Sequence, residues 1–284
     1  MPALARHSVR LPDGRRLDHA ELGDSGGRPL LHCHGGFSCA SDAAFLDGLA
    51  RELGVRIVAA DRPGIAGSTR LAGRRLLDWP ADAAALADAL GIGRFAVAGW
   101  SAGGAYAAAC GHALGDRVTA VALVAAAIPA DWPGMRAEGD RVDRLLMALA
   151  TGAPPLARGL FAATRVAVAV APGLWRRGGR RWLGPTSGPL AAGLAADVAG
   201  AVRQPAGTVD DYRVLAEPWG FDPAAITAPV AIWQGGADRL VPAAWADRLA
   251  AAIPTATVHH RPGEGHALGL AAWRDILGWA AAQD

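Results

Sequence analysis

Between Arg94 and Cys110 the chain reads RFAVAGWSAGGAYAAAC, and this stretch limits the fold more than any other. Phe95 to Gly99 is a short apolar run, long enough for a buried strand and too short for a helix. Ala102 to Leu114 is Ala-rich and of helical length. The junction, Gly99-Trp100-Ser101-Ala102-Gly103, has the spacing G-x-S-x-G in the strand–turn–helix setting that the spacing needs. A nucleophile on so sharp a turn takes a strained backbone, and the residues two before and two after it must be small because strand and helix pass close together. Gly99 and Gly103 meet that demand. The turn lifts the Ser101 hydroxyl clear of the sheet and aims the Ala102 amide, at the helix N-terminus, at an oxyanion formed beside it. In a chain with 37 glycines the spacing also arises by chance, so the serine needs a base and an acid.

Competing readings of this turn fail on spacing. A dinucleotide-binding turn has G-x-G-x-x-G, which is absent here. A phosphate loop needs Gly-Lys-Ser/Thr, and the sequence has no lysine, which also excludes Schiff-base chemistry. At 284 residues the chain is long enough for one large α/β domain with an insertion. The net charge of +2 gives no reason to expect nucleic acid or an anionic membrane as partner. The N-terminus has no apolar signal-peptide region, and the longest apolar run, Val118 to Ile128, falls short of a membrane span. Cys33, Cys39 and Cys110 are odd in number and form no CxxC pair, so free thiols and a cytoplasmic location are expected.

Along the chain, Ser8 to Leu11 and Arg15 to Glu21 flank Pro12-Asp13-Gly14 and predict an edge hairpin. Leu30 to Cys33, Val55 to Ala60, Phe95 to Gly99 and Val118 to Ala126 read as strands, with helices over 43–51, 78–90 and 102–114. Alternation stops at Pro129. The segment from Pro129 to Pro218 shows helical stretches at 140–150, 160–170 and 190–202 and no strand. It resumes with a strand at 229–234, a helix at 243–252, a strand at 257–261 and a helix at 271–282. The fold class expected is α/β, a mostly parallel eight-stranded sheet flanked by helices, with core segments 1–128 and 219–284. Residues 129–218 are then a helical cap over the carboxyl edge, where open parallel sheets bind ligands. The rival reading of that segment is a separate binding domain.

The candidate base is His266, in the glycine-rich loop Pro262 to Ala267 after the last strand, at the same sheet edge as Ser101. Of the other histidines, His259 and His260 fall within that strand, so one is expected to face the core and one the helices. The candidate acid is Asp238, just past the strand ending at Gln234, and Asp131, past the Val118 strand, is a second candidate. The order Ser101, Asp238, His266 is the one expected for a nucleophile elbow followed by its acid and base. His32 and His34 sit two apart but lack a third ligand, so no metal site is expected, and no cofactor.

The chain resembles the capped α/β-hydrolase fold proteins, the group with proline iminopeptidase-like, haloperoxidase-like and epoxide-hydrolase-like members. The resemblance rests on His34-Gly35-Gly36-Phe37, Asp61-Arg62-Pro63-Gly64, the Ser101 turn, Gly236 to Pro242 and Gly265-His266. It implies a second oxyanion amide from Gly36, with Phe37 as the alternative, and a structural role for His34. The sequence departs from the group where Phe37-Ser38-Cys39 replaces a common Pro-Gly, and where Ala66 replaces a glycine. Epoxide hydrolases and haloalkane dehalogenases of this fold use an aspartate nucleophile, so Ser101 argues against both chemistries.

The expected function is hydrolysis of an ester, lactone, thioester or related acyl compound through an acyl-enzyme. A ligand-binding receptor, or a lyase, cyclase or acyltransferase on the same fold, stays open as an alternative. The partner expected is a small, largely apolar substrate, since the insertion is rich in Leu, Val, Ala and Trp. Trp100 and Trp132 are the candidate substrate contacts, although Trp132, Trp175 and Trp182 also suit a small core within the insertion. Arg176, Arg177, Arg180 and Arg181 supply the opposing expectation, an anionic substrate greeted by the insertion or simply a solvated face.

Overall fold

The structure is a computed structural model and describes residues 4–184 and 187–283. Of the side chains in that range, those of Arg136, Arg180, Arg181, Trp182 and Pro189 are not described, so the readings of Arg180, Arg181 and Trp182 lie outside the described residues. The strands are β1 (Arg6–Arg10), β2 (Arg16–Gly23), β3 (Arg28–Cys33), β4 (Val55–Ala60), β5 (Phe95–Trp100), β6 (Val118–Val124), β7 (Val230–Gly235) and β8 (Ala256–Arg261). They make one sheet in the order β1-β2-β4-β3-β5-β6-β7-β8. The β1/β2 and β2/β4 pairs are antiparallel and the rest are parallel.

Helices α1 (Asp47–Glu52), α2 (Trp79–Ala89) and α3 (Gly103–Ala113) precede β6. The interval between β6 and β7 holds α4 (Met135–Glu138), α5 (Arg141–Gly152), α6 (Pro154–Val170), α7 (Pro172–Leu183), α8 (Gly188–Ala201) and α9 (Pro205–Leu215). Then α10 (Ala244–Ala252) follows β7 and α11 (Leu270–Ala281) follows β8. The segment expected as a helix over 43–51 is a 3₁₀ turn (Ala40–Leu46) running into α1. Among the described residues no single helix is long and apolar enough to cross a membrane.

Alternation along the central strands sends side chains to two separate cores. Val97, Val121 and Leu123 join a cluster with Leu86, Tyr106 and Leu249 from α2, α3 and α10. Their neighbours Ala98, Ala122 and Val124 join a cluster on the other side with Trp273 and Ile276 of α11. Both faces of β5 are therefore covered, which is why its sequence is an unbroken apolar run. A third cluster, around Leu146, Phe161, Val198 and Tyr212, belongs to the helices between β6 and β7.

Helices α4, α7 and α9, and the first turns of α6, were not expected. Helices α6, α7 and α9 each carry Pro at their first positions, where a missing N–H costs nothing. The alternation expected for His259 and His260 is present: His259 stacks on buried Trp233 at 4.0 Å, and His260 meets Asp247 of α10 at 3.0 Å, although at the sheet edge neither histidine is buried. Cys33, Cys39 and Cys110 are buried and unpaired, and burial pushes the Cys33 thiol up to about 12 and Cys39 to about 11. Such thiols are unreactive at neutral pH.

Strand order fixes where a ligand can sit. From β3 the chain steps to β4 on one side, then returns to place β5 on the other. The crevice at this reversal opens at the carboxyl ends of β3 and β5. Register pairs Cys33 with Gly99, so the loop after Cys33 and the turn at Ser101 emerge side by side.

Candidate active site

Ser101 has φ +56°, a left-handed conformation costing a non-glycine residue roughly 1–2 kcal/mol. It is held there from both sides. Its N–H donates to the Val124 carbonyl at 2.8 Å, and its own carbonyl accepts from Gly104 at 3.0 Å and Ala127 at 3.3 Å. The close approach expected of the flanking glycines is present: a Cβ on Gly99 would stand 2.2 Å from the Gly103 carbonyl oxygen, and one on Gly103 would stand 2.0 Å from that of Cys33.

Beside the serine runs the loop His34 to Ser38. The backbone amides of Gly36, Phe37 and Ala102 donate to no acceptor among the described residues, and all three residues line one cavity with Ser101. A Cβ on Gly36 would lie 3.3 Å from the Ala102 side chain, so the two stretches of backbone are neighbours. Phe37, at φ +55°, sets its ring 5.8 Å from that of Phe161 and 6.4 Å from that of Trp175, which ties the non-proline loop to α6 and α7.

Buried charges hold this loop. Asp42 accepts from the Gly35 amide at 2.9 Å and the Ser38 hydroxyl at 3.1 Å, and meets His32 Nε2 at 2.8 Å. Burial works to raise the Asp42 pKa, but His32 and these donors leave it below the ordinary value. Arg62 donates to the His34 carbonyl at 2.5 Å and the Gly35 carbonyl at 2.9 Å. His34 accepts the Arg62 amide on Nε2 at 3.3 Å and donates from Nδ1 to the Gly35 carbonyl at 2.9 Å. It stays neutral, since burial and then the Arg62 charge lower its pKa to about 3. With His32 and His34 both engaged, the pair is part of the loop's framework, and no group of three or more metal-ligating side chains gathers among the described residues.

Arg62 is anchored in turn by Asp211 of α9, with bonds of 2.9 and 2.7 Å, while Arg74 and the Tyr106 hydroxyl reach the same carboxylate at 2.5 and 3.0 Å. Burial would raise the Asp211 pKa, but the two guanidinium groups hold it far below the carboxylate range. Asp211→Asn leaves two buried cations without their counter-charge, a loss of about 3–5 kcal/mol. The expected result is a thermal midpoint lower by on the order of 10 °C. In Asp210→Asn, Arg70 can turn to water, and the expected loss is about 1 kcal/mol or less. Equal midpoints for the two variants would remove the network from this account.

Asp238 and His266 meet as their chain positions suggested. His266 Nδ1–H donates to Asp238 Oδ2 at 2.9 Å, and the histidine is 3% exposed. Asp238 Oδ1 accepts from the amides of Leu240 at 2.8 Å and Val241 at 3.0 Å, and Oδ2 also takes Gln234 Nε2 at 3.2 Å. Burial raises its pKa, yet the imidazole and these amides bring it below the ordinary value, so Asp238 is ionised at neutral pH. The bond to Nδ1 leaves Nε2 as the nitrogen free for chemistry. Trp100 steadies this loop: its indole N–H donates to the His266 carbonyl at 3.0 Å, its ring is 5.2 Å from the imidazole, and a Cβ on Gly35 would strike it.

Ser101, His266, Trp100 and the three free amides share a cavity of about 350 Å³. Most of its wall is apolar, from residues such as Leu146, Phe161, Trp175, Leu194, Val198 and Val241. Ser101 and His266 make no direct hydrogen bond in this arrangement. One expectation is corrected, and two alternatives are narrowed. Trp132 is not on the wall, because the turn closed by its N–H on the Pro129 carbonyl at 3.0 Å packs it against the sheet core. Asp131 is exposed, and Asp238 holds the imidazole. Arg176 and Arg177 are exposed and outside the cavity, where polar groups from the insertion are instead Asp140, Asp143, Arg144, Thr164, Asp197 and Tyr212. No sequence signal marked these residues, since helix facing cannot be read without knowing how the helices cross.

A mostly parallel sheet with a left-handed serine on a strand–helix turn, facing free amides at the topological switch, defines the α/β-hydrolase class of fold. The chain belongs to the alpha/beta hydrolase family, whose model matches residues 30–277. A search of curated proteins finds no match. Solved structures similar over nearly the whole chain include an esterase from Rhodococcus sp. ECU1013 (20% identity, 99% of this chain and 100% of that one, TM-score 0.72). An enol-lactonase from Burkholderia xenovorans LB400 is 17% identical, with 95% and 98% covered and a TM-score of 0.71. An alpha/beta hydrolase fold protein from Nakamurella multipartita is 25% identical, with 98% of both chains covered and a TM-score of 0.66.

Proposed function

We propose that the protein is a serine hydrolase of carboxylic esters, lactones, thioesters or related acyl compounds. The observation that carries this is one cavity wall bearing the left-handed Ser101, the Asp238–His266 pair and the unbonded amides of Gly36, Phe37 and Ala102. His266 Nε2 takes the Ser101 proton as Oγ attacks the acyl carbon, and the carbonyl π electrons move to oxygen. The Ala102 amide with that of Gly36, or of Phe37, holds the oxyanion. As the carbonyl re-forms, the bond to the leaving oxygen or sulfur breaks and that atom takes the proton from His266. Water then attacks the acyl-enzyme by the same route in reverse. The Ser101–His266 contact this needs is expected in the substrate complex, since catalytic hydrogen bonds are often long before binding and tighten around substrate.

The helices from 129 to 218 act in this reading as a cap that supplies most of the acyl pocket. Each methylene buried there contributes about 0.8 kcal/mol, roughly a fourfold gain per carbon in kcat/KM. For a series of neutral esters, kcat/KM is expected to rise with acyl length and break where the cavity fills. Matched acidic esters are expected to be poorer, because among the described residues the cavity wall carries Asp140, Asp143 and Asp197 against the single arginine Arg144. A flat profile with a strong, salt-sensitive preference for acidic esters would overturn the apolar pocket, and no turnover of any acyl compound would overturn the hydrolase.

A further inference from the structure

Large apolar side chains that stay in water are informative when they gather in one place. Among the described residues, all the exposed large ones except Leu77 and Leu270 lie on α5, α6 and α7. Helix α6 buries one face, through Ala157, Phe161 and Val168, in the core of the insertion. A second face, with Leu156, Leu160, Ala163, Val166, Ala167 and Val170 at helical spacing, is apolar throughout and open to solvent. Val166 and Val170 are 63% and 79% exposed, at positions where a helix that packs on one side only would carry polar residues. Val142 of α5 and Leu160 line the cavity and are exposed as well, so this face runs to the cavity's rim.

Charge supplies a second, independent observation. From residue 154 to 183 the chain carries Arg158, Arg165, Arg176, Arg177, Arg180 and Arg181 and no carboxylate. Arg158, Arg165, Arg176 and Arg177 are exposed, and none of the four pairs with a carboxylate among the described residues. The net charge of +2 conceals this, because the carboxylates lie elsewhere in the chain. We propose that the exposed face of α5 to α7 docks on an anionic lipid bilayer, its apolar side chains entering the acyl boundary and its arginines meeting headgroup phosphates. An apolar face on a helix whose only charges are arginines is the make-up of an interfacial helix. At 17 residues, interrupted by Arg158 and Arg165 and bent by 101° against α7, α6 suits lying on a bilayer rather than crossing it. A second copy of the chain would set these same arginines against one another, whereas anionic headgroups neutralise them. Docking does not rest on the hydrolase reading. Under that reading it brings the cavity rim to the bilayer, so a long acyl chain reaches Ser101 without crossing water.

Vesicle sedimentation tests this on Ser101→Ala protein, so that no lipid is consumed. Vesicles of phosphatidylcholine and phosphatidylglycerol in equal parts are compared with vesicles of phosphatidylcholine alone, at about 0.1 M salt. The partition coefficient is expected to be roughly tenfold or more higher for the anionic vesicles. Leu156→Ser, Val166→Ser and Val170→Ser together are expected to lower it by roughly tenfold or more, with the thermal midpoint unchanged. Arg158→Gln with Arg177→Gln is expected to remove most of the anionic preference, about fivefold per arginine. No sedimentation with the anionic vesicles overturns the proposal, and so does equal partition into the two compositions. Binding that survives either set of substitutions does the same. A dimer that the triple serine variant dissociates, followed by sedimentation velocity, would give the face to a second copy and overturn it as well. If the triple variant does not fold, Val170→Ser alone takes its place, with an expected fall of about threefold or more. Binding is read without turnover, so failure to dock leaves the hydrolase reading standing, and absence of ester turnover leaves docking standing.

Discussion

Ser101→Ala is expected to lower ester turnover by roughly four orders of magnitude or more, about 5.5 kcal/mol of transition-state stabilisation. The free amides of Gly36 and Ala102 remain in that variant, so a trace of catalysis above water persists. The fold should not change. Alanine keeps the Cβ at φ +56°, so the strain stays and the backbone bonds to Val124, Gly104 and Ala127 are untouched. A thermal midpoint within about 2 °C of the parent, together with lost turnover, is the expected pair of results. Full turnover in the variant removes Ser101 as nucleophile.

Asp238→Asn is expected to cost about 10³–10⁴ in kcat. The reason lies in the local bonding. Oδ1 already accepts two backbone amides, from Leu240 and Val241, so the Asn carbonyl oxygen takes that place and its NH₂ faces Nδ1 of His266. The imidazole must then accept on Nδ1 and carry its proton on Nε2, where it cannot take one from Ser101. The same NH₂ also confronts Gln234 Nε2, now donor against donor, which adds a modest stability loss. Asp131→Asn, at an exposed site, is expected to leave kcat within about twofold. The reverse ranking would give the acid's role to Asp131.

What the sequence made legible follows a physical rule. Ser101, Asp238, His266 and Gly36 sit just past strand ends, where a glycine pattern or a chain order marks the backbone itself. Strand β4 was readable to the residue because a strand buried on both faces is an unbroken apolar run. Arg62 stood in a noted loop, yet its partner Asp211 is 149 residues away, and nothing local announces such a pair. Asp143 and Trp132 show the same gap from opposite sides. One is a plain charged residue that the packing of α5 places on the cavity wall, and the other is an aromatic that a tight turn sends to the sheet core. The pocket's polarity was therefore missed, although its apolar majority was anticipated.

The net charge of +2 is a second case where composition averages away what matters. Arg176 and Arg177 are exposed and outside the cavity, whereas Arg144 lines it together with Asp140, Asp143 and Asp197. Substrate preference follows the cavity's own charge, because water screens exposed groups and the enclosed ones interact at a lower dielectric.

The central claim is that Ser101 is a nucleophile activated by His266, and covalent labelling tests it most directly. Native protein incubated with a fluorophosphonate should gain one phosphonyl group, with loss of fluoride, and peptide mass spectrometry should place it on Ser101. His266→Ala should slow that labelling by at least a hundredfold. An unlabelled native protein, or an adduct on any residue other than Ser101, would contradict the account.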